Sequence, residues 1–210
     1  MSAVLTERER TDRPNDLESR AVQALLACVA RQGVRKTTLD DVAREAGCSR
    51  ATLYRYFASK QAVLQAAVRT EADRVTGALR QAAAGADTLE DAVTAILGAA
   101  GDLVRHHPAL QFVAAFEPER LLPHLAFAGG DRFLAAATDA LVPALAPFVD
   151  GPETGRAAEW VARVGLALLC SPTPPVALDD EPAVRAYVSE FLAPAIRAGA
   201  RPRSPAATRR

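Results

Sequence analysis

Long apolar runs are missing from this 210-residue chain, so nothing in it reaches the roughly 20 residues needed to span a bilayer. The N-terminus, MSAVLTERERTDRPND, has no hydrophobic region of the kind a secretory signal carries, and a cytoplasmic location is expected. Cysteine is scarce. Cys28, Cys48 and Cys170 are odd in number and far apart, which suggests neither a disulfide framework nor a zinc spacing, and they are expected to be small core residues. Aromatics make up only 5% of the chain and no alternating β-branched run occurs, while alanine is abundant. Closely packed helices are favoured over a sheet, and the fold class is expected to be all-α. Net charge is also absent, at +0. There is no Ser-His-Asp spacing, phosphate-cradling glycine loop or metal box, so no enzyme, cofactor or metal is expected. His106 and His107, near Glu117 and His124, are poor metal ligands because adjacent helical histidines point apart; they are expected to favour the negative end of the helix before them.

What the chain does have is concentrated between Thr37 and Lys60, in TTLDDVAREAGCSRATLYRYFASK. Leu39, Val42, Ala43 and Ala46 fall at i, i+3, i+4 and i+7, giving one helix an apolar stripe. Thr38 precedes that stripe with Asp41 three residues on, a capping-box pattern. Gly47 can close the helix in the left-handed conformation, and Ser49 can cap a second one. Two helices joined by so short a turn predict a helix-turn-helix.

In the second helix Leu53 and Phe57 can bury against the first, but Arg50, Thr52, Tyr54, Arg55 and Tyr56 cannot all hide there. Thr52 and Tyr56 share a face, with Arg50 and Ala51 at the helix start that usually enters a major groove first. Arginine can fork onto guanine, and an Ala or Thr methyl can touch the thymine methyl. Thr38, Tyr54 and Lys60 are better placed for phosphate oxygens, Lys60 because it opens the next helix after a Ser59 cap. Between Asp16 and Lys60 the bases Arg20, Arg31, Arg35, Lys36, Arg44, Arg50, Arg55 and Lys60 outnumber the acids Asp16, Glu18, Asp40, Asp41 and Glu45. Positive charge thus gathers near the motif of an otherwise neutral chain. The alternative is an ordinary helical packing unit, since the same geometry occurs in proteins that never meet DNA.

The stretch from about residue 17 to residue 70 resembles the DNA-binding domain of the tetracycline-repressor (TetR) family of bacterial transcription regulators. The resemblance rests on G-x-x-x-T-T at Gly33 to Thr38, A-x-x-A-G-x-S at Ala43 to Ser49, T-L-Y-x-Y-F at Thr52 to Phe57, and S-K at Ser59 and Lys60. Val29 and Cys48 depart from the family's usual phenylalanine and valine. The resemblance implies a three-helix DNA-binding domain over residues 15–75, with the helix-turn-helix at 38–57, and an effector-binding and dimerisation domain over 76–199. The flanking segments 1–14 and 200–210 are polar, rich in Arg and Pro, and expected to be disordered.

Beyond the motif, Leu64, Val68, Ala72, Val75 and Leu79 mark a long linking helix, and Leu89 to Val104 another that halts before Pro108. The run from Pro108 to Gly130 is broken into short pieces. Helices are expected at about 131–148, 153–170 and 182–198. The resemblance implies a small apolar effector held between the linking helix and those after it, with candidate lining Leu103, Phe112, Phe116, Leu121, Leu122, Phe127, Phe133, Leu134 and Trp160. Val164, Leu168, Val184, Tyr187, Val188 and Phe191 on the last two helices are candidates for a homodimer interface. The expected partners are a double-stranded DNA operator with inverted-repeat half-sites, the effector, and a second copy. A ligand-responsive repressor is the leading expectation; an activator, or a helical hydrophobe carrier without a DNA role, are the alternatives.

Overall fold

A computed structural model describes residues 14–120, 127–171 and 173–199, and among them every regular element is helical. The segments 1–14 and 200–210, apart from Pro14, lie outside the described residues. The chain forms two compact units: Met1–Arg74 with His107–Leu122, and Val75–His106 with Pro123–Arg210. The first unit therefore takes in residues 107–122, which the sequence assigned to the second domain.

In the first unit α1 (Pro14–Lys36) opens on a proline, whose missing N–H costs nothing at a helix start. It is broken at Gly33, where φ is 81°. α2 (Leu39–Glu45) and α3 (Arg50–Tyr56) follow, then α4 (Lys60–Ala83), whose first part belongs here. α6 (Pro108–Phe116) completes the unit. Its core joins Val22, Leu25 and Val29 of α1, Val42 and Ala43 of α2, Leu53 and Phe57, Val63 and Ala67 of α4, and Ala109 and Val113 of α6. The stripe on α4 is offset from expectation: Val63, Ala66 and Ala67 are buried, while Val68 faces solvent.

The second unit is built on the end of α4, α5 (Leu89–Arg105), α7 (Phe127–Leu145) and α8 (Glu153–Cys170). It closes with α9 (Glu181–Tyr187), a π-helical turn at Val188–Leu192, and α10 (Ala193–Gly199). Thr88 caps α5 and Asp180 caps α9, each accepting a backbone N–H three residues on. Val93, Ile96 and Leu97 of α5 pack with Leu141 and Leu145 of α7, Ala158 and Val161 of α8, and Val184, Val188 and Leu192. A Cβ at Gly101 would lie 2.6 Å from that of Leu178, so glycine lets the 173–180 loop close onto α5. No helix among the described residues is long and apolar enough to cross a membrane.

Candidate nucleic-acid interface

The turn between α2 and α3 follows from local chemistry. The Thr38 side chain accepts from the Asp41 N–H, and the Asp41 carboxylate accepts from Thr38 N at 3.0 Å and from its hydroxyl at 2.6 Å. These bonds, the hydroxyl's first, hold the Asp41 carboxyl below the usual carboxylate range. Gly47 takes φ 64°, the left-handed value that ends the helix without a Cβ clash. Arg20 of α1 donates to the Ala46 carbonyl and, at 3.3 Å, to Gly47 O, which ties the turn to the helix behind it. Ser49 then caps α3, accepting from Thr52 N at 3.0 Å, and its hydroxyl lies 2.8 Å from that of Thr52.

α3 buries Leu53 alone among its seven residues, with Phe57 sealing the end. Arg50 and Ala51 are exposed at its start, and Tyr54 keeps 41% of its surface. The Arg50 guanidinium reaches Asp40 of α2 at 3.0 Å and lies 5.2 Å from the centroid of the Tyr54 ring. An ion pair this exposed is screened by water and holds the guanidinium only weakly, leaving it able to exchange partners. Thr52 and Tyr56 are half-buried, and Tyr56 packs partly on the unit's core. Tyr56 therefore offers less surface than the periodicity suggested.

Lys60 has a role that its position after the Ser59 cap did not suggest. Its ammonium donates to Val34 O at 3.0 Å and Thr37 O at 2.9 Å, so two of its three N–H groups hold the α1–α2 turn. Ser59 does cap α4, accepting from Ala62 N at 3.2 Å. On the other side of the same turn lies Glu117, which sequence reasoning considered only as a metal ligand. It is 5% exposed and accepts from Val34 N at 2.9 Å and Arg35 N at 3.2 Å. The signal for it was an acid set between Phe116 and Pro118 at the end of an apolar helix, together with a glycine that frees backbone donors far upstream.

The remaining candidates scatter. Phe112 and Phe116 lie on α6 in the first unit with rings 4.9 Å apart; Phe112 packs over Gly33, and Phe116 is 72% exposed. Trp160 is 45% exposed because Val161, one residue on, takes the inward position on α8. Leu103 is half-buried beside the second core and Leu134 is half-buried on α7. Leu121, Leu122 and His124 lie outside the described residues, as do the side chains of Phe127 and Phe133. Of the dimer candidates, Leu168, Val184 and Val188 are buried in their own unit's core, which their apolar spacing serves. Val164 and Tyr187 are half-buried, and Phe191 is 54% exposed with its ring 5.2 Å from that of Tyr187.

His106 ends α5, its Nδ1 2.9 Å from Asp102 O. His107 instead caps α6: its Nδ1 accepts from Leu110 N at 3.1 Å, and its Nε2 lies 3.3 Å from Glu71. Cys28 is buried, Cys48 half-buried and Cys170 exposed, so the last is not a core residue.

The model of bacterial regulatory proteins of the tetR family matches residues 22–67. Over 161 residues the chain is 35% identical to an uncharacterized HTH-type transcriptional regulator of Mycobacterium tuberculosis, covering 75% of this chain and 74% of that one. Among solved structures it is similar to the TetR family repressor AlkX from Dietzia sp. strain DQ12-45-1b, implicated in biodegradation of n-alkanes. The TM-score is 0.64 at 21% identity, over 87% of this chain and 98% of that one. It is also similar to the transcriptional regulator FadR from Bacillus subtilis in complex with stearoyl-CoA, with a TM-score of 0.60 at 13% identity over 82% and 97%.

Proposed function

Because the chain belongs to the TetR family of bacterial regulatory proteins and is a DNA-binding transcriptional regulator, we propose that it acts as a ligand-responsive repressor. A homodimer holds an inverted-repeat operator and is released by a small apolar effector. The observation that carries the DNA face is α3, a capped helix that buries only Leu53 and turns Arg50, Ala51 and Tyr54 outward. Arg50 and Ala51, with the half-buried Thr52, meet base edges; Tyr54 and Thr38 meet phosphates. Two copies place two such helices about 34–36 Å apart, or a multiple, which matches successive major grooves on one side of the duplex.

The effector clause draws support from AlkX, implicated in biodegradation of n-alkanes, and from FadR, solved in complex with stearoyl-CoA. Within this chain it concerns the second unit, where Leu103 borders an apolar core. Among the described residues the hydroxyls of Thr94 and Thr138 are buried there without a hydrogen-bond partner, and suit an effector with one polar group. An effector releases DNA only by favouring the non-binding arrangement, and a shift from 1:99 to 99:1 takes about 5.5 kcal/mol of differential affinity. The dimer clause draws on Trp160 and Phe191, large apolar side chains left exposed on α8 and the π-helical turn.

Fluorescence anisotropy on the chain's own promoter DNA tests both clauses. Tight binding that long-chain acyl-CoAs or alkanes reverse is the expected result. Binding that no apolar compound reverses removes the effector clause alone, and absence of binding to any inverted repeat removes the operator clause.

A further inference from the structure

Gly33 breaks α1 at φ 81°, and the break strips Val34 and Arg35 of the carbonyls four residues back that a continuous helix would give them. Their N–H groups are orphaned at a buried place, where an unmade hydrogen bond is costly. Glu117 supplies the acceptors. Its Oε2 lies 2.9 Å from Val34 N, and its Oε1 3.2 Å from Arg35 N. The fit leaves no room for another residue at 33, since a Cβ there would come within 2.6 Å of Glu117 Oε1 and 2.7 Å of the Phe112 ring. From the opposite side Lys60 donates to Val34 O and Thr37 O, and the Thr37 hydroxyl donates to Gly33 O at 2.7 Å. The turn is thus gripped through its N–H groups by a carboxylate and through its C=O groups by an ammonium. Thr38, the next residue, is the exposed cap of α2.

We propose that Glu117 is a positioning residue for DNA binding: through Val34 and Arg35 it fixes the turn that aims Thr38 and the start of α2 at the phosphate backbone. A buried carboxylate is expensive to desolvate, and a purely structural contact between α6 and α1 needs only apolar groups such as Val113 and Ala109. Glu117 stands at the end of α6, in the segment 107–122 that returns to the first unit after α5. The proposal rests on the DNA face described above.

The test uses the full chain. Glu117→Gln keeps the shape and removes the charge that strengthens both bonds. Its affinity for operator and scrambled DNA is expected to fall alike, on the order of tenfold, because phosphate contacts carry no sequence information. The amide proton resonances of Val34 and Arg35 should move upfield. Val113→Ala, a cavity in the same α1–α6 packing, should lower the melting temperature yet leave DNA affinity within about twofold. Glu117→Asp, which keeps the charge on a shorter arm, should fall between wild type and Glu117→Gln, and it is the readout if the glutamine variant does not fold. Wild-type DNA affinity in a Glu117 variant whose two amides have moved overturns the proposal, as does an equal loss of affinity in Val113→Ala. Arg50→Ala separates the two levels: if it loses operator binding while Glu117→Gln does not, the DNA face stands and the positioning role falls. If both bind as wild type, both fall.

Discussion

Two surface helices of this protein each carry an exposed aromatic residue, and they differ in everything beneath it. α3 buries Leu53 and little else, is capped by Ser49, and turns Arg50, Ala51 and Tyr54 outward. The run from α9 through the π-helical turn to α10 buries Val184, Val188, Leu192, Ala193 and Ile196, and leaves Phe191 out at 54%. A helix held by one buried leucine and its cap has its polar face free for a ligand with hydrogen-bonding edges. A helix already well anchored, with a single large apolar side chain exposed beside Tyr187, suits a protein surface.

The comparison breaks most easily at the anchor of the first helix. Leu53→Ala should destabilise the chain by about 3 kcal/mol, because it opens a cavity under a helix with no other buried residue. Urea unfolding measures it, and a loss below about 1 kcal/mol would mean that α3 is held by something else. Trp160→Ala with Phe191→Ala should weaken self-association by about 2 kcal/mol or more while altering the melting temperature of the isolated chain little. Sedimentation equilibrium over a concentration series decides it, and an unchanged dimer would place the interface elsewhere.

Smaller effects sharpen the account. Arg50→Ala should cost about 1–3 kcal/mol on operator DNA and much less on scrambled DNA, relaxing base preference at one position. Equal losses on both DNAs would make Arg50 a phosphate contact. Tyr54→Phe should cost under about 1 kcal/mol, alike on every sequence, since only a phosphate hydrogen bond is lost.

Local rules were legible in the sequence because their partners are neighbours. Thr38 with Asp41, Gly47, Ser49 and Ser59 act within a few residues of themselves, and the structure places each as the spacing predicts. Long-range partnerships were not. Glu117 meets Val34 across 83 residues, and nothing in a periodic pattern encodes that. Nor does periodicity encode that residues 107–122 group with the first compact unit or that the Lys60 ammonium serves two carbonyls. Periodicity also cannot say which of two adjacent apolar residues faces in. It put Val68 in the apolar stripe of α4 and Trp160 in an apolar lining on α8, whereas the smaller neighbours Ala67 and Val161 are the ones buried. Val184 and Val188, expected at a homodimer interface from their apolar spacing, are covered by their own unit's core.

Hydrogen–deuterium exchange of the full chain, with and without operator DNA, tests the outward-facing α3 most directly. Binding should slow exchange at residues 38–41 and 49–56 and leave residues 89–105, in the second unit's core, unchanged. Tight DNA binding with no slowing anywhere in 49–56 would contradict the account.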